Sequence, residues 1–107
     1  MGGRMSELDK LEKYLKENGY EYRRIDEGTE NYINRHQIIV YKNDKRVWDA
    51  ICQIGSYGYE KGLLEIYGEI VWREIDGDTV RGWLTAQDVI NRIEHGKAGA
   101  LIGEDDE

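Results

Sequence analysis

The sequence predicts an α+β fold in two layers, a three- or four-stranded antiparallel sheet with an N-terminal and a C-terminal helix on one face. Three observations predict it. Leu8, Leu11 and Leu15 recur at helical spacing near the start, and Val89, Ile90 and Ile93 do so near the end. The segment between them is rich in β-branched and aromatic residues broken by Gly, Asn and Asp. Two helices and a few strands close a core only by packing together, which sets the six helix residues against Trp48, Ala50, Cys52, Leu64 and Ile66.

Each element has its own signal. Ser6 before Glu7, Leu8 and Asp9 is an N-cap with acids in the first turn, and Asn18-Gly19 supplies the left-handed stop, so the first helix ends near Asn18. YEYRRID follows as a strand, and DEGTENYINR as a polar connector. HQIIVYKNDKRVWDAICQI is a hairpin turning at Asn43-Asp44. In its second strand the two-residue period puts Trp48, Ala50, Cys52 and Ile54 on the apolar side, and Val47, Asp49, Ile51 and Gln53 on the other. GSYGYEKG carries turn glycines. GLLEIYGEIV fits both periods, but Gly68 would cost a helix about 1 kcal/mol and suits a strand bulge, so a strand is expected. Asp76-Gly77-Asp78 marks a further turn, after which Thr85 and Asp88 form a capping pair for a second helix ending at Gly96.

With 107 residues, one domain is expected at residues 6–96. Residues 1–5 read as a leader, Met5 being a second start, and residues 97–107 as an acidic disordered tail. Hydrophobic residues make up 39% and charged residues 35%, a wet composition that still folds. With no Phe, the aromatic mass comes from three Trp and eight Tyr, whose polar atoms need partners.

The formal charge of −7 lies entirely in the second half, since residues 1–53 balance ten Lys/Arg against ten Asp/Glu and residues 54–107 carry five against twelve. That balance disfavours direct nucleic-acid binding through phosphates. No apolar run approaches the roughly 20 residues that cross a bilayer, so no membrane association and a cytoplasmic location are expected. One cysteine and two histidines leave no disulfide and no closed zinc set, and no metal or other cofactor is expected.

The stretches SYGYEKGLLEIYGEIV and VRGWLTAQDVINRI resemble motifs of uncharacterised small proteins of Gram-positive phages and mobile elements. In those proteins a strand ending in cysteine, here AIC, precedes S-Y-G, G-L-L-E-I and later G-[YW]-L-T-A-x-D-V. The similarity covers about Trp48–Ile93. A related motif has His just after the cysteine, where this chain has Gln53, so the partner a Cys/His chemistry would use is missing. The resemblance implies a phage or mobile-element setting.

Candidate sites are few. Cys52 with His36 or His95, and Asp49 as orienting acid, is the pattern of a thiol nucleophile and its base; a buried structural thiol is the competing account. Asp49, Glu65 and Glu69 on one sheet face could hold a cation or exchange protons, though such acids are ordinary on a wet sheet face. Tyr57 and Tyr59 in the glycine turn either present contact area to a partner or lie down over the sheet. The expected function is a non-enzymatic accessory protein that binds an unidentified protein partner through Tyr57, Tyr59, Glu65, Tyr67 and Glu69. The first alternative is an acidic inhibitor of a host nuclease or defence enzyme, with Glu65, Glu69, Glu74 and Glu104–Glu107 standing in for phosphates. The second is a Cys52-dependent hydrolase.

Overall fold

A computed structural model describes residues 5–28, 35–72, 77 and 79–97. In chain order the elements are α1 (Glu7–Glu17), β1 (Glu21–Glu27), β2 (Arg35–Lys42), β3 (Lys45–Ile51), a 3-10 turn at Tyr59–Lys61, β4 (Leu64–Gly68), β5 (Val80–Leu84) and α2 (Ala86–Lys97). The five strands pair antiparallel in the order β1-β2-β3-β4-β5, a fully sequential meander. The fold class is as predicted, with one strand more than the three or four expected. The extra strand is β5, which the sequence hides because Gly82 and the left-handed Trp83 (φ 61°) interrupt any two-residue alternation before the α2 cap.

Capping chemistry sets the helix starts. The Ser6 hydroxyl accepts from Asp9 N at 3.0 Å while the Asp9 carboxylate accepts from Ser6 N at 3.0 Å, a reciprocal box. At α2 the Thr85 hydroxyl accepts from Asp88 N at 3.1 Å and Asp88 accepts from Thr85 N at 2.9 Å. Glu7 also reaches across to accept from Ala86 N at 2.6 Å, and Tyr14 donates to Glu94, so α1 and α2 lie side by side in the same direction. The second helix runs through Lys97, one residue into the expected tail; residues 98–107 lie outside the described residues, as do 1–4 and most of the Asp76–Asp78 turn.

Asn43 (φ 53°) and Asp44 (φ 68°) make the two-residue turn of the β2–β3 hairpin, whose mirror-image geometry matches strand twist. One core cluster joins Leu8, Leu11 and Leu15 of α1 and Val89 and Ile93 of α2 to Ile38, Val40, Trp48, Ala50, Leu64 and Ile66. Cys52 packs against its margin, as expected from strand period. Ile54 does not follow: β3 ends at Ile51, the chain turns, and Ile54 is 47% exposed.

Candidate functional site

The described helices occupy one face of the sheet, and the other face is defined by its register. A row of cross-strand partners runs Arg23, Ile39, Asp49, Tyr67, Val80 through all five strands. A second row runs Ile25, Gln37, Ile51, Glu65. Ile25 and Ile39 are buried on this face, outside the helix-side cluster.

A polar chain crosses the same face. Arg35 donates twice to Gln37 Oε1, at 3.1 and 2.8 Å, and Gln37 Nε2 donates to Asp49 Oδ2 at 2.6 Å. Arg46 approaches that oxygen at 3.4 Å. Asp49, expected on the wet face, is only 9% exposed, and burial pushes its carboxyl above the usual carboxylate range despite the opposing Gln37 hydrogen bond and Arg46 charge. The sequence signal for this pair is a single Gln in the apolar run of β2; its buried partner twelve residues away follows from register alone.

Tyr67 is 56% exposed on this face and Tyr57 57% at its β4–β5 edge. The Tyr57 backbone is anchored rather than free. Its N–H donates to Glu65 Oε1 at 2.7 Å, its carbonyl accepts from Trp83 N at 3.3 Å, and a Cβ on Gly82 would come within 2.2 Å of Tyr57 Cβ. Glycine at position 82 therefore makes the room in which Tyr57 sits. Tyr57, Glu65 and Tyr67 are brought together as expected.

Two expected members fall elsewhere. Tyr59, in the 3-10 turn, is half-buried and lines a cavity of about 750 Å³ with Met5, His36 and Cys52 on the helix side. Glu69 lies past the end of β4, because Gly68 (φ 108°) turns the chain and lets Glu69 N donate to Val47 O at 2.9 Å. The expected gathering of Asp49, Glu65 and Glu69 is thus not formed: Asp49 is buried with Gln37, and Glu69 leaves the face.

The thiol pattern is altered too. Asp26, His36 and Cys52 form a cross-strand row on the helix side, Cys52 N donating to His36 O at 3.0 Å. The carboxylate at His36 is Asp26, with Nδ1 to Oδ1 at 2.8 Å, and not Asp49. His95 sits apart, on α2 beside Trp72. Burial and the Glu7 charge push the Cys52 thiol up, and among the described residues its Sγ has no hydrogen bond, so the setting does not favour a thiolate. Gln53, where the related motif has His, instead accepts from His36 N at 3.2 Å through its side chain. Among the described residues no cluster of His, Cys, Asp and Glu has the geometry to hold a metal ion, and no helix is long and apolar enough to cross a membrane.

Comparison of the chain with protein families, with curated proteins and with solved structures gives no match.

Proposed function

We propose that this chain is a non-enzymatic accessory protein of a phage or mobile element, acting in the cytoplasm by binding another protein through the helix-free face of its sheet. The observation that carries the reading is the pair of exposed tyrosines, Tyr67 on the inner strand β4 and Tyr57 beside β5, with Glu65 accepting from Tyr57 N. Tyrosine offers large contact area with few torsions to freeze, and Tyr and Arg are the residue types enriched where protein surfaces meet. Elsewhere on this face stand Arg23 on β1, Arg35 at the start of β2 and Arg46, which reaches Asp49, all exposed. The complementary partner has an apolar centre and an acidic rim. Of the acids of the phosphate-mimic alternative, Glu65 accepts from Tyr57 N and Glu69 lies past the end of β4, while Glu74 and Glu104–Glu107 lie outside the described residues.

Capture from host lysate tests it. The wild-type chain is expected to recover one stoichiometric partner. Tyr57→Ala with Tyr67→Ala weakens capture by at least about 30-fold, the factor for losing one interface anchor of about 2 kcal/mol. Arg35→Glu slows association and flattens its salt dependence. Glu69→Gln leaves binding unchanged. Recovery of no partner, or a partner indifferent to Tyr57 and Tyr67, rejects the reading.

A further inference from the structure

The meander has one regular edge. β1 pairs with β2 without a break from Glu21 to Glu27, and among the described residues no strand lies on its outer side. β5, at the other end of the sheet, carries a register shift against β4 and the left-handed Trp83. The ladder fixes which backbone groups of β1 point outward. Cys52 N donates to His36 O at 3.0 Å, so His36 and Ile38 turn their backbone groups to β3, while Arg35, Gln37 and Ile39 turn theirs to β1. Their partners Glu27, Ile25 and Arg23 are used in that ladder, and the N–H and C=O groups of Tyr22, Arg24 and Asp26 face away from the sheet. An open row of this kind is a template for another strand.

Charged side chains ordinarily protect such an edge, because a second strand meets like with like. The order of charges in EYRRIDE instead suits one partner, the same segment running the other way. Two copies paired antiparallel about Ile25 set Arg23 opposite Glu27 and Arg24 opposite Asp26, each twice, with Ile25 opposite Ile25. Arg24 and Asp26 both turn their backbones outward, so they form the hydrogen-bonded pairs, and the two Ile25 residues fall at the close non-hydrogen-bonded position. Neighbouring registers lack this match. Pairing about Arg24 sets Glu21 against Glu27 and Arg24 against itself, pairing about Arg23 sets that arginine against itself, and pairing about Asp26 does the same with a carboxylate. Arg24 is already held by Asp9 and Glu12, so Arg23 and Glu27, both exposed on the helix-free face, weigh most in the choice. Arg35 approaches Glu27 Oε1 only to 3.7 Å, longer than a hydrogen bond, which leaves that carboxylate able to accept.

We propose that this chain forms a symmetric dimer by pairing β1 with β1 of a second copy about Ile25, in the register that sets Arg23 against Glu27. The two-fold axis stands perpendicular to the sheet, so two five-stranded sheets join edge to edge with both helix-free faces on the same side. One strand pair buries less than a standard interface, so association belongs to high micromolar concentration. The seam includes neither Tyr57 nor Tyr67 and stands or falls separately from the tyrosine surface.

Sedimentation equilibrium of the full chain over a concentration series tests the dimer, with amide exchange read at the same concentrations. Wild type is expected to pass from monomer to dimer, and the Tyr22, Arg24 and Asp26 amides to gain protection as it does. Arg23→Glu and Glu27→Arg each bring like charges face to face twice, and each should weaken self-association at least about tenfold. Mixing the two single variants should restore association, because each then meets its opposite, and so should the double exchange Arg23→Glu with Glu27→Arg. A chain that stays monomeric at millimolar concentration overturns the proposal. So does a dimer indifferent to both single variants, a loss that neither mixing nor the double exchange rescues, or outer β1 amides protected equally at every concentration.

Discussion

Trp48 is 5% exposed at the centre of the core cluster, whereas Cys52 sits at its margin. Trp48→Ala should cost about 3–5 kcal/mol and leave little native protein, since small domains have only about 5–15 kcal/mol in reserve. Cys52→Ala should lower the denaturation midpoint slightly and leave partner capture intact, because a half-buried thiol acts as a small apolar group. A folded Cys52→Ala chain that no longer captures its partner would restore Cys52 as a functional group. Asp49 carries a sign that can be measured. Its folded-state pKa is raised, so the stability associated with its protonated form is complete below the ordinary value of 3.8 and is lost as pH rises through the higher folded value. Asp49→Asn keeps an acceptor for Gln37 and sheds the burial penalty. Its Tm should equal or exceed wild type at pH 7, and the difference should shrink as the solution is acidified below the raised pKa. A lower Tm at pH 7 would mean that the Arg46 pairing outweighs burial.

At the scale of elements, α1 is tied to β1 through one guanidinium. Arg24 Nη1 reaches Asp9 at 2.9 Å and Glu12 at 3.0 Å, and its Nε lies 3.0 Å from Asp26 Oδ2, an ion pair out of line for a hydrogen bond. The hydrogen bond from the Ser6 backbone and the Arg24 contacts hold Asp9 below the usual range. Asp26 is lowered as well: burial opposes it, and the His36 and Arg24 contacts prevail. Depressed carboxyls contribute stability above their unfolded value, which is lost as pH falls through the folded values, so acid should loosen α1 from β1. Arg24→Met should cost about 1–2 kcal/mol at neutral pH, the carboxylates being too exposed for the full penalty of a broken buried pair. Urea titrations of variant and wild type should converge at low pH, less completely for Asp9, whose Ser6 bond survives. Gly68 is the second pivot between elements. An added Cβ would meet Val47 O at 2.5 Å and Trp48 Cα at 2.7 Å, at a φ of 108°. Gly68→Ala should therefore destabilise by more than about 1 kcal/mol in chemical denaturation.

Over the whole molecule, a sequential meander leaves β1 and β5 as edges and β3 at the centre, with both helices on one side. In dilute solution amide exchange should be slowest in β2, β3 and the Leu11–Leu15 turn of α1, and faster along the outer side of β1. Equal protection of β1 on both sides there would reveal a further pairing along that edge within one chain. The same layout separates the tyrosine face from the α1-side cavity with His36 and Cys52. A ligand at one of them need not disturb the other.

The helices, the β2–β3 hairpin and most of the core were legible in the sequence, because capping boxes, a two-residue turn and 3.6- or 2-residue periodicity act between residues near in the chain. Ser6, Asn43-Asp44 and Thr85–Asp88 stand where their local chemistry puts them. Of the segment GLLEIYGEIV, expected to be a strand, Leu64–Gly68 is one, with Glu65 across from Ile51, and the chain turns at residues 69–70. Tertiary structure alone decided what depends on register and on backbone turning. It made Asp26 the carboxylate at His36, buried Asp49 against Gln37, and parted Tyr59 from Tyr57 on opposite sides of the sheet. It also drew β5 out of a segment without alternation and left Trp83 in a left-handed conformation. The physical reason is that a strand's partner is set by the sum of pairings across the whole sheet, and a one-residue shift in register, as between β4 and β5, reverses the faces that period predicts beyond it.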